Sequence, residues 1–344
     1  MKTIIYAIIA LLATVALTPP LIFFCDKKGW YDPINSRKLH QEKIPRLGSI
    51  ALAPVFFIVS AVYLLKTDSL KLIPLAPILI PAFFIFLVGV LDDFIDMPPK
   101  VKFICQCACC IVPPIFGYNW THFGPLNLGV LALPVTFLWI TGMVNAYNLI
   151  DGIDALCGGL SFFATAVFGI LFYLDGGGFT LPFILCGSIL GFLVFNKPKA
   201  KIFLGDGGSQ FLGYMIAIFP LAAEKPLGQN ALPIAVLLAS IPIMDTIAAI
   251  WRRTRDHISF LLPDKAHLHH KLLAMGYSNK GILFFLFVIQ AGICVSVVFI
   301  HYKLTQRQAF FFIIGGYFVM TVFFSIIHYT YRSVRTYLPP PPPR

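Results

Sequence analysis

The chain alternates long apolar runs with short polar joints. A membrane-crossing helix needs about 20 mostly apolar residues. About eleven runs of that kind can be laid out, near 3–24, 47–65, 72–91, 101–117, 130–147, 156–174, 180–195, 206–223, 230–250, 281–301 and 308–328. Several are short or interrupted by Gly or Pro, so their edges are soft. The pattern predicts an all-α polytopic membrane protein, with residues 1–338 as one membrane-embedded domain. Residues 339–344 hold five prolines, Pro339 to Pro343, and are expected to form a short extended tail. The first run has the outline of a signal peptide. No small-residue cleavage site precedes a soluble domain and more runs follow, so it is expected to be retained as a span.

Composition agrees with this pattern. Hydrophobic residues make up 58% of the 344 positions and charged residues 12%, against about 25% charged in an ordinary soluble domain. That balance excludes a water-soluble core and a disordered chain alike. The net charge of +11 has two readings, nucleic-acid binding or basic cytoplasmic loops, and the apolar background selects the second. With the N-terminus outside, 20 of the 26 Lys and Arg residues fall in inner segments and six outside. This predicts a cytoplasmic C-terminus and cytoplasmic loops near 25–46 and 251–280. The cluster Cys105, Cys107, Cys109 and Cys110 lies in an apolar run without His or acid, and reads as small helix-packing residues.

The acids are distributed in a way that the charge rule does not explain. Asp68, Asp175 and Glu224 fall outside; the other 12 of 15 lie in or beside inner loops. Asp92-Asp93-Phe94-Ile95-Asp96 ends the third run. Adjacent carboxylates there are either a solvated helix end or an acid pair used as a base or metal site. Lys100 and Lys102 follow and suit phosphate oxygens. Asn145, Asn148, Asp151 and Asp154 recur every third position, which on a helix gives one drifting face of oxygen donors for a hard cation or polar ligand. Gly205-Asp206-Gly207-Gly208-Ser209 is a glycine-rich turn opening a helix, expected to cradle an anion on its N–H groups. His267-Leu268-His269-His270-Lys271 follows Arg252, Arg253 and Arg255. Zinc is one reading of these histidines; with no Cys nearby, sugar hydroxyls and phosphates are favoured as their ligands. Together these groups suit Mg²⁺-assisted phosphoryl transfer, with a lipid as one substrate. A transporter would place its polar groups near the bilayer midplane, whereas these sit at loop ends on one side.

In order and spacing these motifs resemble the polyprenyl-phosphate N-acetylhexosamine-1-phosphate transferases over nearly the whole chain. The early loop, Arg37-Lys38-Leu39-His40 through Ile44 to Ala51, is similar, with Gly48-Ser49 where the family often has two glycines. Ala155 replaces a glycine after the second acidic motif. Pro242-Ile243-Met244-Asp245-Thr246 also looks familiar. His267-Leu268-His269-His270 after Asp264-Lys265 is similar to the undecaprenyl-phosphate N-acetylglucosamine-1-phosphate branch, not to the muramyl-pentapeptide branch with three consecutive histidines.

The resemblance implies transfer of N-acetylglucosamine-1-phosphate from a UDP-sugar to undecaprenyl phosphate in the bacterial inner membrane. The product would start an O-antigen, common-antigen or teichoic-acid linkage. It further implies Mg²⁺, or Mn²⁺ in its place, on Asn148 and Asp206. Asp92 or Asp93 would act on the lipid phosphate, with Lys102 on phosphate. Phe203 and Asp154 would read uracil, beside Asp151. Arg252, Arg253, His267, His269 and His270 would bind the sugar phosphate. A homodimer is implied by the same likeness, and no nucleic-acid partner. One-step attack by the lipid phosphate and a two-step route through a phospho-aspartate both remain open at this level.

Overall fold

The computed structural model describes residues 2–31, 43–67, 72–176, 180–222, 227–257 and 267–337. The Arg37–His40 part of the early loop, Asp264, Lys265 and the proline tail lie outside the described residues. Almost everything else is helical. Helices α1 (Lys2–Lys28), α2 (Ser49–Thr67) and α3 (Leu72–Ile95) are followed by α4 (Pro99–Cys110) and one turn, α5 (Val112–Ile115). Then come α6 (Ala132–Ile150), α7 (Leu156–Leu174), α8 (Leu181–Asn196) and α9 (Gly205–Ala222). The chain continues through α10 (Ala231–Leu238), α11 (Ser240–Arg255), the short α12 (Leu268–Ala274), α13 (Asn279–Lys303) and α14 (Gln306–Tyr337).

Seven of these helices are long and apolar enough to cross a bilayer, and α10 with α11 makes an eighth if the bent pair counts as one span. Each of the eleven sequence runs meets a helix, but not always a single straight one. The run at 101–117 is divided at Ile111, where Pro113 and Pro114 supply no N–H to carry the helix on. The run at 230–250 bends by 67° between α10 and α11. Pro242 lacks the N–H that would have bonded the Leu238 carbonyl. The side-chain amide of Gln290, on α13, donates to that carbonyl instead at 2.9 Å. In hydrocarbon a freed backbone carbonyl must find such a donor. One departure from the all-α expectation is an antiparallel pair of two-residue strands, β1 (His122–Phe123) and β2 (Leu126–Asn127), turned by Gly124 at φ +58°.

Helix α9 is the hub of the fold. Every residue from Gly207 to Leu221 is buried, as expected of a helix enclosed on all sides. Its glycines make that enclosure possible. A Cβ at Gly213 would lie 2.5 Å from the Met143 carbonyl of α6, and one at Gly207 2.7 Å from Val90 of α3. At the periphery the order reverses. Phe311, Phe312, Phe318 and Val319 on α14 point outward, as do Ile4, Ile8 and Leu12 on α1. So many exposed apolar side chains fit a lipid surround, not water.

Helix α1 packs on α8 through a small-residue stripe, Gly187 and Gly191, spaced four apart. A Cβ on Gly187 would sit 2.0 Å from the Ala7 carbonyl. Gly187→Val is therefore expected to separate the two helices. The measurement is the monodisperse yield in mild detergent, which should fall severalfold; an unchanged yield and melting midpoint would refute this packing account.

Candidate active site

The C-terminal end of α3 delivers two adjacent carboxylates, and the fold gives them different work. Asp93 turns into the protein, with its side chain fully shielded. It accepts from Arg46 Nε at 2.8 Å and from the backbone N–H groups of Asp206 and Gly207 at 2.9 and 3.1 Å. It therefore caps α9 and neutralises that helix's positive end. This corrects one expectation. The N–H groups of the glycine-rich turn do bind an anion, but the anion is Asp93 of the same chain, not a phosphate. The glycines serve close approach: Gly205 has φ +77°, and a Cβ there would meet the Arg46 carbonyl and the Asp93 carboxylate.

Asp92 faces the cleft. Its Oδ1 accepts from the Met97 N–H at 2.7 Å, and its Oδ2 pairs with Lys102 Nζ at 2.7 Å. Lys102, on the first turn of α4, lies at the centre of the site. The same ammonium meets Asp206 Oδ2 at 2.6 Å and Asn148 Oδ1 at 3.4 Å. Asn148 in turn donates from Nδ2 to Asp206 Oδ1 and to Ser209 Oγ, both at 3.0 Å. Four helices, α3, α4, α6 and α9, thus bring Asp92, Lys102, Asn148 and Asp206 into one hydrogen-bonded group. Asp206 keeps 26% of its side-chain surface open.

The segment after α6 forms the next wall. Asp151 is half-buried, and no hydrogen bond to it is formed among the described residues. The surrounding protein strips it of water, which holds its carboxyl well above the ordinary carboxylate range; the charges of Asp206, Asp93 and Asp154 add to the shift. Asp154 accepts from the Ala200 N–H at 3.1 Å and so ties down the Lys197–Lys201 loop. Asn196 clasps both sides, accepting from the Ala155 N–H and donating to the Ile202 carbonyl, each at 2.9 Å. Phe203 is half-buried. Its backbone pairs with the early loop, through Phe203 N–H to the Pro45 carbonyl and Gly48 N–H to the Phe203 carbonyl. Gly48 has no room for a side chain there, and the serine at 49 is accommodated.

The histidine segment closes the site from the other end of the chain. Asp245, buried on α11, accepts from His267 Nδ1 and from the Leu268 N–H, both at 2.8 Å. It caps α12 and fixes the His267 ring. His269 is a second correction. It is 2% exposed, and its ring lies where a Cβ on Gly152 would be, so it packs against the Asp151 segment instead of lining the open part of the site. Burial first, then the neighbouring His270 charge, pushes its imidazole down to about 3. An unfolded chain protonates the same ring near 6.5. The stabilisation is then complete above about pH 6.5 and is lost as the pH falls from there toward about 3. The melting midpoint should drop on going from pH 7.5 to 5, and His269→Leu should make that drop shallower; an equally steep drop would refute the assignment. His270, whose ring lies 4.2 Å from that of His269, is half-buried, as are Arg252 and Arg253 at the end of α11.

The oxygen donors also bear on a metal. Among the described residues no cluster of three or more His, Cys, Asp or Glu is arranged to hold an ion by itself. Hard oxygens of Asp92, Asn148 and Asp206 nonetheless converge on one cation, the Lys102 ammonium. That set suits Mg²⁺, which typically takes one or two carboxylates and completes its shell with water and substrate phosphates. It does not suit zinc, and the His267 ring is already committed to Asp245 through Nδ1.

Three contributors escaped the sequence reading. Arg46 lay in the early loop but carried no assigned role, and Asn196 is a single polar residue with no pattern around it. Asp245 lay in a familiar-looking segment but carried no assigned role, since its partner is 22 positions away.

Comparison with known proteins covers the same ground. The sequence model of glycosyl transferase family 4 matches residues 75–224, which hold Asp92, Lys102, Asn148 and Asp206. A Bacillus subtilis protein named probable undecaprenyl-phosphate N-acetylglucosaminyl 1-phosphate transferase is 33% identical over 336 residues, 95% of this chain and 91% of its own length. The Escherichia coli K12 undecaprenyl-phosphate alpha-N-acetylglucosaminyl 1-phosphate transferase is 30% identical over 83% of this chain and 82% of its own. A Mycobacterium tuberculosis decaprenyl-phosphate N-acetylglucosaminephosphotransferase is 28% identical over 84% and 81%. With the four-helix site inside the matched segment and the likeness running almost end to end, this chain belongs to glycosyl transferase family 4, among the polyprenyl-phosphate N-acetylhexosamine-1-phosphate transferases that its motifs resemble.

Proposed function

We propose that the protein transfers N-acetylglucosamine-1-phosphate from UDP-N-acetylglucosamine to undecaprenyl phosphate and releases UMP. The observation that carries this reading is the single group formed by Asp92, Lys102, Asn148 and Asp206 at the ends of four helices. The names of the relatives supply the substrate class.

A lipid-phosphate oxygen attacks the phosphorus that bears the sugar. The bond from that phosphorus to the bridging oxygen breaks, and UMP leaves with the electron pair. Asp92 orients the attacking phosphate and takes any proton it still carries. Lys102 moves from its carboxylate partners onto phosphate oxygens. Asn148 and Asp206 would hold Mg²⁺, or Mn²⁺, and a bound ion would supply charge neutralisation for the leaving UMP. Asp93 does not touch substrate in this account; it fixes the start of α9 and so the position of Asp206. Phe203 stacks on uracil and Asp154 helps read it, with Asp151 on the same wall. Arg252, Arg253, His267 and His270 bind the sugar phosphate. The one-step route is the one taken, with Asp92 as orienting group and proton acceptor; trapping a sugar-phosphoryl enzyme without lipid would establish a two-step route through an aspartate instead.

Laid over the eleven hydropathy runs, the Lys and Arg distribution supports a site on the cytoplasmic face of a bacterial inner membrane, the side on which nucleotide sugars are made; seven or eight of the described spans are long and apolar enough to cross by themselves. The family likeness supports a homodimer. The test is UMP release by purified protein given undecaprenyl phosphate and a panel of UDP-sugars, with and without EDTA. N-acetylglucosamine should be the preferred sugar, and chelation should abolish turnover with full recovery on adding Mg²⁺. Preference for a UDP-muramyl-pentapeptide or another hexosamine would reassign the substrate, and transport without UMP release would refute the enzyme reading.

A further inference from the structure

A second set of polar side chains lies one helical turn deeper than the cleft group, on three of its four helices. Gln106 follows Lys102 by four residues on α4, Gln210 follows Asp206 by four on α9, and Asn145 precedes Asn148 by three on α6. Those spacings place each pair on one helix face. The deeper residues are joined to one another. Asn145 Nδ2 donates to Gln106 Oε1 at 3.1 Å and to the Thr141 carbonyl at 2.9 Å; Gln106 Nε2 donates to Gln210 Oε1 at 2.9 Å. Gln106 and Gln210 are fully buried, and Gln210 Nε2 has no partner among the described residues. Burying amides, one of them incompletely bonded, is unfavourable in a setting where Leu or Met would pack well. Stability alone does not account for them.

We propose that Gln106 is a positioning residue for the transfer reaction. Its amide is the only member of the deeper set bonded to both neighbours, so it fixes the rotation and height of α4 against α6 and α9 together. Lys102, one turn above, is thereby held within reach of Asp92, Asn148 and Asp206. Gln106 does not touch substrate and acts through Lys102. This rests on the reading of Lys102 as a phosphate contact.

The experiment compares the unaltered protein with Lys102→Ala, Gln106→Leu, Gln106→Leu/Gln210→Leu and Lys102→Ala/Gln106→Leu in one detergent. It measures kcat, KM for UDP-N-acetylglucosamine and the melting midpoint. Gln106→Leu should lower kcat about tenfold or more and leave KM within about threefold, the pattern of a lost transition-state alignment. Gln106→Leu/Gln210→Leu removes both partners of the Gln106–Gln210 bond, which is close to neutral for stability, and leaves only the Asn145 donor without its Gln106 acceptor. Its melting midpoint should recover part of the loss seen in Gln106→Leu while kcat stays low, which a merely structural role would not produce. In the Lys102→Ala background, Gln106→Leu should cost nothing further. A Gln106→Leu kcat within about twofold of the unaltered protein, kcat recovering with the midpoint in the double variant, or an additive loss in the Lys102→Ala background would each overturn the inference and leave the functional reading intact. Full activity in Lys102→Ala, or no transfer by the unaltered chain, would overturn that reading and the inference with it.

Discussion

Asp206→Asn is expected to lower the transfer rate by at least about a thousandfold, the scale of losing a preorganised charged group from a phosphoryl-transfer site. The reason lies in how many partners depend on that carboxylate. One oxygen takes the Lys102 ammonium and the other takes Asn148 Nδ2. The amide offers one acceptor where two are used, and it turns an N–H₂ toward a donor. Folding should survive. The backbone N–H of Asp206, which bonds Asp93, is unchanged, and the side chain borders the open cleft. The measurement pairs turnover of labelled UDP-N-acetylglucosamine with the melting midpoint in detergent. Activity above about a tenth of the unaltered protein, with the midpoint unchanged, would remove Asp206 from the reaction.

Asp93→Leu should fail in a different way. It leaves the Arg46 guanidinium without its carboxylate and two N–H groups at the start of α9 without an acceptor. Removing one member of a buried, hydrogen-bonded ion pair costs about 3–5 kcal/mol. The expected result is a large loss of melting midpoint or of folded yield, with activity falling because the folded protein falls. Asp92→Asn is the contrast: turnover should drop with a much smaller change in midpoint. If Asp93→Leu keeps the midpoint and loses only turnover, then Asp93 is chemically active and the division between the two acids is wrong.

That division marks how far the sequence could be read. Adjacent acids at the end of an apolar run announce a site, because a carboxylate near the bilayer is costly and needs a reason. Which acid faces the cleft depends on the roll of α3 against α9, and that is set by close packing of Gly89, one turn before the acids, on Gly207, 114 positions after Asp93. The repeat of Asn145, Asn148, Asp151 and Asp154 was legible as a helix face, yet its members part company. Asn145 goes to the deep amides and Asn148 to the cleft. Asp151 and Asp154 lie past the helix end, where Ala155 at φ +62° turns the chain into α7. The histidines were legible as a cluster, but not the fact that His269 fills the space left by Gly152. Hydropathy found the runs well. It could not see that Pro242 would break one of them, nor that Gln290 would repair the break.

That repair has a consequence for biogenesis. The Leu238 carbonyl waits for a donor made some fifty residues later in synthesis. The angle between α10 and α11, and with it the position of Asp245 just beyond, is therefore tied to α13 packing against the bend. Helices α3, α4, α6 and α9, which carry Asp92, Lys102, Asn148 and Asp206, all precede the bend in the chain, whereas the placing of Asp245 and His267 depends on a helix made after it.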